Sequence, residues 1–325
     1  MTSTAALTAP PRKALRGHPI ATLIAVSLGL FMVGLDATVV SIANPAIAAS
    51  LGTTFTQLQW ITHAYLLGLA VCLILGGTLG DRFGRRRVYI IAVIAFALAS
   101  VAIGLVGSAA GVIVFRALQG ISAALLMPQT LSILRATFPR EKFGMAVGIW
   151  GGVSSVAIAA GPIVGGALVA TLGWESIFFV NAPIAVITVI FTAFVVREST
   201  AGSSTVRFDL PGVILLGIGL AGVVLAIVQS EDWGWGDPRT LLVLGGALVV
   251  LAVFVLVELR SAHPLLPMSL FREPGFSIGG LAVGANFFAL LGVTFFLSLF
   301  LMNLRGIEGV VAGVMLLPLS AVSII

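Results

Sequence analysis

The chain has 325 residues, 59% of them apolar and only 9% charged, with a net charge of +5 and a mean hydropathy of +1.17. A soluble domain carries about 25% charged residues, so this composition excludes a water-soluble globular protein. The basic residues are neither gathered on one segment nor interleaved with aromatics, which argues against nucleic acid as a partner, and a lone Cys72 rules out an intrachain disulfide.

At the N-terminus, Arg12, Lys13 and Arg16 precede an apolar stretch from His18 to Ala43. It is longer than the roughly 7–15 apolar residues of a signal peptide and carries Asp36, so a first membrane span is expected rather than a cleaved leader. Apolar runs follow near 58–79, 88–107, 110–133, 144–170, 177–196, 211–229, 241–258 and 277–302, and a tenth begins near 309. Each is long enough to cross a hydrocarbon core of ~30 Å at ~1.5 Å per residue. The first six spans, 19–196, form one expected bundle behind a tail at 1–18; a Ser/Gly-rich linker at 197–210 follows. A helix pair at 211–258, an interfacial segment at 259–276 containing Pro264, Pro267 and Pro274, and the start of a second bundle at 277–325 complete the expected organisation.

Between the second and third runs lie Gly77, Gly80, Asp81, Arg82, Gly84, Arg85, Arg86 and Arg87. So much charge between two spans predicts a tight connection at one membrane face, with the glycines permitting a sharp turn. Orientation follows from the arginines and lysines. With the N-terminus inside, Arg12, Lys13, Arg16, Arg82, Arg85, Arg86, Arg87, Arg135, Arg140, Lys142, Arg197, Arg207, Arg260 and Arg272 are cytoplasmic, and only Arg239 and Arg305 lie outside.

Asp36 and Arg116 stand out because an ionised group inside a span is costly and usually faces a cavity or a partner. With the first span ending near Ala43–Pro45, Asp36 is expected ~10–14 Å below the outer end, and Arg116 ~9 Å deep from Ala110. Matching depth predicts a pair, either a switch responsive to protons or cations or a static ion pair. Gln119, one turn along the same face, extends it. Asn44, His63, Tyr65, Gln129 and Asn181 are further candidates for lining a substrate cavity, His63 being open to simple hydrogen-bonded packing. In the fifth span Gly144, Gly148, Gly152, Ala157, Gly161 and Gly165 predict close helix contact, and Pro162 a bend beside Gly161, Gly165 and Gly166.

Three histidines and one cysteine supply no metal cluster, and neither Lys13 nor Lys142 follows a glycine-rich phosphate loop. Hydrolase motifs are absent as well, so neither enzymatic activity nor a cofactor is expected and transport would draw on an ion gradient.

The segment from Gly77 to Arg87 resembles the loop motif between helices 2 and 3 of the major facilitator superfamily, matching at Gly77, Leu79, Asp81, Arg82, Gly84 and Arg85. Arg116, Gln119 and Gly120 resemble its fourth-helix motif, and Gly161, Pro162, Gly165 and Gly166 its fifth-helix antiporter motif. Leu35, Asp36, Thr38, Val39 and Val40 are similar to the first-helix motif of the fourteen-helix drug:proton antiporter family. Asp209, Pro211 and Gly212 opening the extra helix pair, Trp233 to Gly236 within it, and His263 to Pro267 after it also look like that family; Glu175 departs from it, since an arginine usually follows the tryptophan.

The resemblance implies an all-α polytopic protein of the cytoplasmic membrane with the major facilitator fold. It further implies proton-coupled export of drugs or amphipathic small molecules, with Asp36 and Arg116 in proton coupling and the Asp81–Arg85 motif in a cytoplasmic gate. Its partners would be a small-molecule substrate, protons and the lipid bilayer. Proton-coupled uptake of a small polar solute and a non-transporting sensor or partner subunit are the alternatives. Because the family fold has two six-helix halves, the missing part of the C-terminal half is expected to be supplied in cis or in trans.

Overall fold

The computed structural model describes residues 16–200, 209–261, 264–301, 305 and 315. Arg12, Lys13, Arg207, most of the expected linker, His263 and nearly all of the expected tenth span lie outside the described residues.

The architecture is all-α. In chain order the helices are α1 (Pro19–Leu51), α2 (Phe55–Phe83), α3 (Arg85–Leu105), α4 (Ala109–Thr137) and α5 (Arg140–Leu172). They are followed by α6 (Ser176–Val195), α7 (Leu210–Trp233), α8 (Pro238–Arg260) and α9 (Pro274–Leu299). Among the described residues eight of these, α1 to α8, are long and apolar enough to cross a membrane. The protein is therefore a multi-pass membrane protein.

Local chemistry sets the ends. Pro19 opens α1, where its missing amide costs nothing, and Gly52 closes it in the left-handed conformation (φ 61°). The Thr54 hydroxyl accepts from the Gln57 amide (3.2 Å) while the Gln57 side chain accepts from the Thr54 amide (3.0 Å), a reciprocal cap for α2. Ser108, Asp209 and Asp237 cap α4, α7 and α8 by accepting from Gly111, Gly212 and Arg239.

One expectation needs correction. The helix does not stop at Ala43–Pro45. It carries Pro45 within it and runs to Leu51, so Asp36 lies ~22 Å along the axis from the far end rather than ~10–14 Å. Proline removes one backbone bond without ending a long helix already held by packing along its length. The charged segment forms a tight connection. Gly77 to Phe83 form the last turns of α2, Arg85 begins α3, and the whole connection is Gly84 at φ 102°. Helix α6 begins with a short turn, Ser176–Phe179, offset at Val180 from Asn181–Val195.

Helix α1 packs along α5, α6 and α4; α4 lies between α2 and α3; and α3 flanks α6. Helices α7 and α8 pair with each other, and α7 rests on α2. At that seam the Thr56 hydroxyl donates to Asp232 (2.9 Å) and Gln59 to Glu231 (3.2 Å). Helix α9 packs against the 3₁₀ turn Met268–Arg272.

The bundle interior has two apolar clusters. One is built around Met32, Val33, Tyr65, Tyr89, Phe96, Leu126 and Ile133. The other is built around Val39, Ala43, Ile47, Ile61, Ile103, Val112, Trp174 and Phe178. Large apolar side chains such as Ile91, Leu98, Phe194 and Leu242 point outward, as lipid requires and water would not tolerate in such number.

Candidate functional site

The polar centre lies between those two apolar clusters. On α1 Asp36 falls between Val33 and Val39, and on α4 Arg116 falls between Val112 and Ala123. On α3 Ser100 lies between Phe96 and Ile103, and on α6 Asn181 lies between Phe178 and Ala185. Asp36 and Gln119 are fully buried, and Arg116 and Asn181 are 1% exposed.

Asp36 accepts on both oxygens. Arg116 Nη1 approaches Oδ2 at 2.6 Å, while Gln119 Nε2 (2.8 Å) and Asn181 Nδ2 (3.1 Å) both donate to Oδ1. Arg116 is fixed in turn. Its Nη1 also reaches Gln119 Oε1 (2.7 Å), its Nε donates to the Ile61 carbonyl (3.2 Å), and its guanidinium lies over the Tyr65 ring at 4.3 Å. Asn181 donates as well to Ser100 Oγ (2.9 Å), whose hydroxyl donates to the Phe178 carbonyl (2.9 Å).

Two helices come unusually close to make this possible. A Cβ on Gly120 would run into the Tyr65 carbonyl, and one on Gly68 would sit 2.6 Å from the Ala117 carbonyl. Glycine at both positions lets α2 and α4 approach until Tyr65 covers the guanidinium. A buried ion pair survives desolvation only when its remaining donors and acceptors are met, and the arrangement largely meets them. Tyr65 Oη and Asn181 Oδ1 are the exceptions, buried without a hydrogen-bond partner. The centre thus holds a negative charge under several donors and keeps two unused polar atoms beside it.

Other predicted site residues are placed elsewhere. Gln129 is tied to backbone, donating to the carbonyls of Gly76 (2.7 Å) and Leu125 (3.2 Å). It joins α4 to α2, and Gly80 leaves space for its amide. His63 and Asn44 are half-buried and take no part in the Asp36 hydrogen bonds. Residues with similar polarity separate here because only the neighbouring helices decide which face is interior.

The α2–α3 junction has its own geometry. Arg85 donates from Nη2 (2.8 Å) and Nε (3.1 Å) to Asp81 Oδ1, and from Nη1 to the Ser132 carbonyl at 3.5 Å. Glu198, from the chain leaving α6, accepts from the main-chain amides of Arg86 and Arg87. On α5, Gly161 and Gly165 lie against Thr38 and Val39 of α1, and Gly34 of α1 lies against Ala157. Pro162 is within the helix and Gly166 is partly exposed. Gly144, Gly148 and Gly152 meet nothing within 4 Å, so the expected close contact is confined to the second half of α5.

Two participants were not singled out from sequence. Ser100 is one serine in an apolar run, with no signal to distinguish it. Glu198 stands at the start of a polar connection, where an acid following a basic helix start is only a weak hint.

A family model described as the Major Facilitator Superfamily matches residues 26–325. The chain is 44% identical over 315 residues to the tetracenomycin C resistance and export protein of Streptomyces glaucescens, covering 97% of this chain and 59% of that protein. It is 38% identical over 301 residues to the multidrug resistance protein Stp of Mycobacterium tuberculosis, covering 92% of this chain and 56% of that protein. The chain therefore spans somewhat more than half the length of these relatives. Among solved structures, the crystal structure of the peptide transporter POT in complex with sulfate matches with a TM-score of 0.54 at 17% identity, over 75% of this chain and 52% of that one. That likeness bears on the fold alone.

Proposed function

The chain belongs to the Major Facilitator Superfamily, and on that premise we propose that it serves proton-coupled export of drugs or amphipathic small molecules. It would do so across the cytoplasmic membrane with its N-terminus inside, in a protein of the fourteen-helix type. The observation that carries this reading is the Asp36 carboxylate, fully buried yet held by Arg116, Gln119 and Asn181.

A proton arriving at Asp36 removes the charge that Arg116 opposes. The neutral acid needs an acceptor for its new hydrogen, and Asn181 Oδ1, otherwise unpartnered, is close by on the same side chain that already donates to Asp36. Arg116 is then left with Gln119 Oε1 and the Ile61 carbonyl. Binding a proton therefore loosens the tie between α1 and α4 while the Arg116–Ile61 bond keeps α4 on α2, and such a selective release suits alternation between two packings. Export rather than uptake is favoured by the names of the relatives, which describe resistance and export.

Asp81 and Arg85 serve in the same proposal as a cytoplasmic gate, their side chains already joined across the Gly84 corner between α2 and α3. The test is efflux of ethidium, as an amphipathic probe, from cells lacking their own exporters. Efflux should collapse with a protonophore and be abolished in Asp36→Asn at unchanged protein level. Normal efflux by Asp36→Asn, or efflux indifferent to the protonophore, would sink the proposal, and uptake under an imposed gradient would reverse its direction.

A further inference from the structure

We propose that Thr38 is a positioning residue whose hydroxyl replaces the amide hydrogen that Pro162 lacks, holding the Ile158–Pro162 turn of α5 against the turn of α1 that carries Asp36. In an uninterrupted helix the carbonyl of Ile158 would accept from the amide four residues on. That residue is Pro162, which has no amide hydrogen and sits inside α5. A helix carbonyl so deprived must find another donor or remain a cost to the fold.

The donor comes from the neighbouring helix. Thr38 Oγ1 lies 3.1 Å from the Ile158 carbonyl and 3.3 Å from the carbonyl of Leu35 on its own helix. Leu35 has an ordinary helical partner in the amide of Val39, so the hydroxyl is surplus there. Ile158 has no amide four residues on, so its carbonyl is where the single hydroxyl hydrogen is worth most. The contact also depends on Gly161, because a Cβ at that position would occupy the place of Thr38 Oγ1. Glycine and proline thus act together: one opens the space, the other vacates the acceptor. Next along α5, Gly165 admits Val39, so the seam continues on the same face.

Thr38 lies within one helical turn of Asp36 and on the seam with α5, whereas Asp36 is held by α4 and α6. The hydroxyl therefore fixes the side of α1 that the ion pair does not reach. It gives a physical reason for a threonine in the first helix and a Gly161–Pro162 pair in the fifth to occur together in this chain.

The experiment is a mutant cycle on the purified chain, read by thermal melting in detergent. Thr38→Val keeps the shape and removes the donor, and should lower the melting temperature by about 2–4 °C for one lost hydrogen bond. Thr38→Ser keeps the donor and should restore most of that loss. Pro162→Ala supplies the missing amide, so Thr38→Val added to Pro162→Ala should cost little or nothing. An equal loss from Thr38→Val in both backgrounds, or no recovery with Thr38→Ser, would overturn the proposal. If Thr38→Val alone does not fold, folding of the double variant supports it and failure of the double variant overturns it. Ethidium efflux by the same variants bears on the functional consequence, which rests on the export reading: Thr38→Val should fall below Thr38→Ser. Absence of efflux from the unaltered chain would count against that reading alone, leaving the melting cycle to decide the role of Thr38.

Discussion

The carboxylate of Glu198 closes over the start of α3, accepting from the main-chain amides of Arg86 at 3.0 Å and Arg87 at 3.2 Å. Those amides have no intrahelical acceptor, and a carboxylate at a helix N-terminus also meets the positive end of the helix dipole. Gly84 completes the arrangement, since its φ of 102° suits glycine and a Cβ there would lie 2.7 Å from the Glu198 carboxyl carbon. The end of the six-helix bundle is thereby fastened to its α2–α3 corner.

Removing that cap should loosen the corner. Glu198→Ala is expected to cost about 1–2 kcal/mol of stability, the usual range for a lost N-terminal cap with a charge contribution. Glu198→Gln should cost less, because the amide oxygen still accepts. Thermal melting of the purified variants measures both, and equal melting of all three forms would show that the contact carries no stability.

Arg116 is tested by leaving Asp36 without its partner. Arg116→Leu strands a fully buried carboxylate and should destabilise by about 3–5 kcal/mol, the range for breaking one side of a buried ion pair. Adding Asp36→Leu should recover much of that loss while transport stays absent. If the double variant is no more stable than Arg116→Leu, the energetic link between the two residues is refuted.

Two glycines should respond in opposite ways. Gly120→Ala would force α2 from α4 at the Tyr65 carbonyl, so a loss of about 1–3 kcal/mol is expected from overpacking. Gly144→Ala meets nothing within 4 Å and lies inside α5, so it should be neutral or gain up to ~1 kcal/mol from helix propensity. Melting curves compared side by side decide this, and a comparable loss at both positions would contradict the packing described.

The Asp81–Arg85 pair separates gating from topology. Asp81→Asn keeps every positive charge that sets orientation, so the protein should insert as before, as judged by labelling of cysteines placed at Arg16 and Asp237. Ethidium efflux should nevertheless be lost. Unchanged efflux would leave the arginines with a topological role only.

Much of this protein is decided by its sequence. Apolar runs of sufficient length dictate membrane helices because the hydrocarbon core leaves backbone groups no other partners. An acid and a guanidinium buried in such runs require each other, which is why Asp36 and Arg116 were legible as a pair before any coordinates. Gln119 followed from its spacing on the same helix as Arg116. The tertiary structure alone decided the rest. These helices are apolar nearly all round, so periodicity does not reveal which face meets another helix and which meets lipid. Gln129 and Asn181 look alike in sequence, yet one ties two backbones together and the other completes the Asp36 shell. Gly144 and Gly161 repeat the same residue on one helix, yet only Gly161 makes room for Thr38. Hydrogen bonds such as Thr38 to Ile158 and Glu198 to Arg86 join residues more than a hundred positions apart. Partners so distant are brought together only by how the helices pack, and local residue patterns carry no record of that.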